Sequence, residues 1–111
     1  MAYDEGLAAI LRDDLRDHDT VERKMFGGLA FLRGGHMVCG VHRGGAMFRV
    51  GKDREAEALT IPGTTRMTMG PSDRAMPGMI AADDDFVADD GRRARLLAIA
   101  LDVVRSLPPK D

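Results

Sequence analysis

His36, Cys39 and His42 are the residues of this chain whose types most readily suggest chemistry, because imidazole and thiolate are both metal ligands and both serve acid–base or nucleophilic work. Their spacing argues against a shared site. The run His36 to His42 reads as one strand, and six residues at about 3.3 Å each hold the two imidazoles roughly 20 Å apart. Cys39 falls on the opposite strand face from both. A tetrahedral zinc site needs every ligand within about 2.3 Å of one point. A thiol nucleophile needs a base and a stabilised thiolate, and Cys39 sits among apolar residues that favour the neutral thiol. Asp83, Asp84, Asp85, Asp89 and Asp90 lack the alternating spacing and closing Glu of a calcium loop, so a solvated turn and a helix cap explain them. Gly27-Gly28 leads into a strand and has no Gly-Lys-Ser/Thr, so it is not a phosphate loop. Ser72 and Ser106 are the only serines, and no Ser-His-Asp arrangement is visible. The residues point to no catalytic constellation, no metal and no cofactor.

The elements that place these residues can be read from hydrophobic period. Tyr3, Leu7, Ile10, Leu11 and Leu15 recur at helical spacing behind Asp4, a natural cap, which predicts a helix over residues 4 to 18. Asp14 and His18 lie four apart on it. Val21 to Phe26 alternates apolar and charged residues as a half-buried strand does. Leu29 to Arg33, His36 to His42 and Ala46 to Gly51 follow as strands, separated by Gly34-Gly35 and Gly44-Gly45, which predict tight hairpins and an antiparallel meander. Lys52 to Thr60 reads as a short helix ended by Pro62-Gly63. Thr65 to Met69 reads as a strand, Gly70 to Ala75 as a loop, and Met79 to Ala82 as an edge strand behind Pro77-Gly78. Asp89 or Asp90 caps a last helix to about Ser106, which Pro108-Pro109 end. The order is α-β-β-β-β-α-β-β-α, an α+β fold with helices at both ends of the chain.

Two-residue glycine loops also fix strand faces. They place Ala30, Leu32, Met37, Cys39, Val41, Phe48 and Val50 on one wholly apolar face, which should pack on the helices. Leu29, Phe31, Arg33, His36, Val38, Gly40, His42, Met47 and Arg49 share the other. An apolar centre with a charged rim is the anatomy of an interaction surface, so Phe31, Arg33, His36, Val38, His42, Met47 and Arg49 are the expected partner-binding residues. The last helix carries an apolar arc of about 200° through Leu96, Leu97, Ile99, Ala100, Leu101, Val103, Val104 and Leu107, wider than a usual amphipathic stripe. Deep burial or a subunit contact accounts for it.

At 111 residues the chain reads as a single domain, 1–111. Sixteen basic residues against eighteen acidic ones leave a net charge of −2, which disfavours autonomous nucleic-acid binding. Eight methionines and no tryptophan suggest a core whose gaps methionine fills. A lone cysteine suits a reducing compartment, no apolar run has the length of a membrane span, and Asp4 and Glu5 stand where a signal peptide needs cations; the expectation is a complete, cytoplasmic protein.

The segment Lys24-Met25-Phe26-Gly27-Gly28-Leu29-Ala30-Phe31, together with Met1-Ala2-Tyr3-Asp4-Glu5, resembles the TfoX N-terminal-domain family, also called Sxy-like. Arg105-Ser106-Leu107-Pro108-Pro109-Lys110 continues the resemblance, while Met76-Pro77-Gly78-Met79-Ile80 departs from the family's Gly-Arg, Pro-Met and aromatic pattern. The resemblance implies a two-layer α+β fold similar to secretion chaperones, which tend to pair. It implies regulation of competence genes, although the second domain of full-length members has no counterpart before Asp111. It carries over no catalytic residue. The leading expectation is a non-enzymatic regulatory or protein-interaction domain, its partner unidentified, with a homodimer as one form. The rival is a small-molecule or metal binder, or an unfamiliar enzyme, using a cleft near His36, His42 and Arg49.

Overall fold

Asp4 starts the first helix as the sequence suggests: its carboxylate accepts from the Gly6 amide at 2.7 Å, which satisfies one of the donors a helix N-terminus leaves unpaired. The structure, a computed structural model, describes residues 3–25, 27–69, 72 and 74–109. Helix α1 spans Glu5–Asp14 and buries Leu7, Ala8 and Leu11. It stops four residues before the expected end, and Asp19 at φ 55° turns the chain towards the sheet. Six strands follow: β1 (Val21–Met25), β2 (Gly28–Arg33), β3 (His36–His42), β4 (Gly45–Arg49), β5 (Thr64–Met69) and β6 (Arg74–Ala82). A 3₁₀ turn (Lys52–Arg54) and helix α2 (Glu55–Leu59) link β4 to β5; α3 (Asp84–Ala88) and α4 (Asp90–Arg105) close the chain. Phe26 and part of the expected loop, residues 70, 71 and 73, lie outside the described residues, as does Lys110 of the closing motif.

The sheet is antiparallel throughout, in the order β1-β2-β3-β4-β6-β5. The α+β meander with flanking helices is therefore as expected. Strand β6 is not the edge strand that Met79 to Ala82 suggested: it runs from Arg74 and lies between β4 and β5. Pro77 is tolerated there because β5–β6 pairing breaks register beside it. Arg66 pairs with Ile80 but Thr68 with Ala75, so Met76–Met79 oppose the single residue Met67. No ladder hydrogen bond is needed from the proline at such an irregularity. Gly78 then reaches inwards, its amide donating to Glu55 and its carbonyl accepting from Val50.

Two details of register correct the expected faces. Leu32 pairs with Met37, as the Gly34-Gly35 hairpin requires, but Phe31 pairs with Cys39 and Leu29 with Val41. Val38 is an extra residue, a bulge, and it moves β2 by one position against β3. Leu29, Phe31 and Val38 thereby turn to the helices, while Ala30, Leu32 and Met37 turn away. In the next hairpin His42 pairs with Gly45, so the loop is Arg43-Gly44 rather than Gly44-Gly45. Gly45 serves close approach instead: a Cβ there would lie 2.6 Å from the Ala82 carbonyl oxygen of β6. That loop shift changes both strands by one residue, so the faces of β3 and β4 survive it.

The core joins Phe31, Val38, Cys39, Val41, Phe48 and Ile80 to Leu7 and Leu11 of α1, Leu15 just after it, Phe86 of α3 and Leu96, Ala100 and Val104 of α4. The wide apolar arc of α4 is largely used here; Leu97, Ile99 and Leu101 are buried as well. Asp83 and Asp89, from the acidic run, cap α3 and α4 by accepting from the Phe86 and Arg92 amides. None of the six methionines with described side chains belongs to this core.

Candidate functional site

The sheet's second face follows from the shifted register. Ala30 pairs with Gly40, Gly40 with Met47, and Met47 with Ala81, which sets these positions on the side away from the helices. Ala30, Leu32, Met47 and Met79 are buried, yet stand outside the helix-packed core. They are covered by their own neighbours across a curved sheet. The curvature is visible in a recess of about 330 Å³ lined by Met25, Met37, Met47, Met67, Met76 and Met79, with His42 beside them. Met25 lies on β1 and Met67 on β5, the two edges of the sheet. In a flat sheet five strand spacings of about 4.8 Å would hold those edges roughly 24 Å apart. Both reach one recess because bulges at Val38 and around Pro77-Gly78 bend the sheet into a trough.

The methionines are segregated. Of the eight in the chain, six have described side chains, and all six line this recess. Methionine as general gap filler would be scattered through the core, which it is not. A thioether on an unbranched stem adapts to varied shapes, so a surface built from it suits a changing or irregular contact.

His42 contributes the only polar side chain among the recess-lining residues. The Gly44 amide donates to its Nδ1 at 3.0 Å, within the Arg43-Gly44 turn. An amide can only donate, so Nδ1 accepts and the neutral ring carries its proton on Nε2. Burial pushes the imidazole pKa below its ordinary value, which agrees with a neutral ring. Nε2 itself is buried and meets no hydrogen-bond partner among the described residues.

The seven expected partner-binding residues do not form one surface. Phe31 and Val38 are core residues on the helix side, the consequence of the bulge. His36 is 9% exposed and donates from Nε2 to the Pro108 carbonyl at 2.7 Å. Its Nδ1 lies 3.4 Å from Arg49 Nη1. These two residues fasten the segment after α4 to the sheet, with Arg33 half-buried opposite His36 across the hairpin. His42, at the far end of β3, and Met47 line the recess. Among the described residues, His36 and Arg49 meet each other at one end of β3, while His42 lines the recess from the other. Sequence reasoning placed Met25, Met67, Met76 and Met79 on no site; the count of eight methionines was the available signal, and the sheet curvature that gathers them was not.

Cys39 is fully buried, and burial pushes its thiol pKa up, so the thiolate is suppressed. Among the described residues no three His, Cys, Asp or Glu side chains gather to hold a metal ion. A larger open groove of about 680 Å³ runs between α1 and β1, where Arg12 and Glu22 bond each other and Arg16 pairs with Asp13. Among the described residues no helix is long and apolar enough to cross a membrane.

The Gly27-Gly28 pair of the opening motif now has a structural meaning. Gly27 adopts φ 75°, a left-handed conformation, and a Cβ on Gly28 would lie 2.1 Å from the Val41 carbonyl oxygen. The pair lets β1 turn into β2 directly against β3, which brings Met25 to the recess. A family model for the TfoX N-terminal domain matches residues 13–104. The chain belongs to the TfoX N-terminal domain family. The matched span begins in α1, ends in α4 and contains all six described strands, so the TfoX N-terminal domain match takes in the trough and the helix-packed core apart from Leu7, Ala8 and Leu11 of α1. No curated protein and no solved structure matches the chain.

Proposed function

We propose that this TfoX N-terminal domain is a non-enzymatic, regulatory protein-interaction module that receives its partner on the methionine-lined trough. The segregation of the methionines supports this reading: the six described ones gather on the face opposite the packed helices, and none of those six belongs to the core. Adaptable thioethers on a concave surface suit an apolar side chain or short segment of another protein. The site is differently composed from the sequence expectation, with Met37, His42 and Met47 in its lining and Phe31 and Val38 in the core instead. A role in competence or transcription through protein contacts rests on the family alone. A net charge of −2 supports protein rather than nucleic acid as the partner, and the lone, buried cysteine fits a cytoplasmic setting.

Met37 is half-buried in the trough, so Met37→Lys places a cation there without emptying the core. The variant should keep the wild-type melting curve and lose the wild type's partner, whether that is a second copy detected by sedimentation or another protein retained on immobilised domain. Equal retention by both proteins would show that the trough is not the contact surface.

A further inference from the structure

His42 offers a buried N–H that nothing in the described structure receives, at the wall of a recess otherwise made of thioethers. A buried unpaired donor costs free energy that a bound acceptor would recover. Thioether sulfur is only a weak acceptor, and none among the described residues makes a hydrogen bond to Nε2. The recess, at about 330 Å³, is at the small end of the range for small-molecule sites. Among the described residues its lining carries no charged side chain, so an ion would meet no counter-charge from them. We infer that the recess binds a small, uncharged, mainly apolar molecule bearing one hydrogen-bond acceptor, such as a ketone or ester carbonyl, which His42 Nε2–H engages while the six methionines close around the apolar part.

A soft monovalent cation is the competing occupant, since thioethers favour such ions. The tautomer of His42 opposes it. With Nδ1 accepting from Gly44, the remaining ring nitrogen of this recess-lining residue is an N–H, buried until the ring turns towards a ligand, and it presents positive rather than negative charge to a metal. A carbonyl oxygen matches that N–H, and the same turn that orients the ring enforces the match. The Arg43-Gly44 loop, one residue earlier than glycine spacing suggests, is what sets Gly44 opposite Nδ1.

The test uses the whole chain with ¹³C-methyl methionine and ¹⁵N-histidine, titrated with acetophenone and with α-methylstyrene, which has the same shape and a CH₂ in place of the oxygen. Acetophenone should move the recess methionine methyl signals saturably and shift the His42 Nε2 resonance; α-methylstyrene should move the methyls alone. The ratio of the two affinities should fall about tenfold, in disfavour of acetophenone, in His42→Leu, because only the ketone loses a hydrogen bond. The nitrogen shift in the wild type stands even if that variant folds poorly. No saturable methyl shift with either probe up to millimolar concentration overturns the inference. So does an unchanged ratio in a folded His42→Leu, or stoichiometric silver(I) binding that acetophenone does not disturb. The ligand would share the recess with the partner proposed above, but no protein takes part in this titration, so its failure leaves the Met37→Lys test of that reading standing.

Discussion

Gly28→Ala should destabilise the protein by about 3 kcal/mol, the upper part of the range for forcing an atom into filled space. The added Cβ would meet the Val41 carbonyl oxygen at 2.1 Å and Val41 carbon at 3.2 Å, both backbone atoms that cannot move aside as a flexible side chain does. Relief requires β2 and β3 to separate, and that disturbs the Leu29–Val41 pairing in the core. Thermal unfolding should show a midpoint lowered by more than about 10 °C. A midpoint within a few degrees of wild type would mean that the β2–β3 approach is looser than described. The same substitution should disperse the methionine signals of the trough, since Gly28 fixes the end of β1 that carries Met25.

Arg93 is the other position where a single change has a large expected effect. It is 8% exposed, in α4, and its guanidinium holds three elements together. It donates to Asp14 at the end of α1 at 2.5 Å, to the Val87 carbonyl of α3 at 2.6 Å, and pairs with Asp90 at 2.9 Å. Removing one partner of a mostly buried pair leaves an uncompensated charge and an unpaired carbonyl. Arg93→Ala should therefore cost about 3 kcal/mol in urea denaturation. Asp14→Leu combined with Arg93→Met should recover much of that loss, because two apolar side chains leave no stranded charge. A single variant as stable as wild type, or a double variant less stable than either single, would contradict this account of the α1–α4 junction.

The sequence carried the elements well and the faces poorly, and one residue separates the two. Helix caps at Asp4 and Asp89, the Gly34-Gly35 hairpin and the run His36 to His42 are local signals, and each appears where expected. The bulge at Val38 is not local. It forms because β2 must present Leu29 and Phe31 to helices α1 and α4, which arrive from both ends of the chain, and alternation along β3 alone gives no sign of it. One inserted residue exchanged Leu29 and Phe31 for Ala30 and Leu32 across the sheet. Asp14 was read against His18, four residues away; its partner is Arg93, 79 residues away. The trough escaped notice for a related reason. Met25, Met37, Met47, Met67, Met76 and Met79 sit on five strands with no common spacing, and only the bending of the sheet gathers them. Pro77-Gly78 was read as an ordinary bend before an edge, yet it is where β6 widens against β5 and brings three of them together.

The claim that the trough is the working surface is tested most directly by site-specific photocrosslinking in the native cell. A photoreactive residue at Met37 would face the trough, and one at Arg95, exposed on α4, would face away on the helix side. Discrete adducts should form from Met37 and be absent from Arg95, and they should vanish when Met47→Lys is added to the Met37 probe. Discrete adducts from Arg95 with none from Met37 would contradict the account and move the contact surface to the helices.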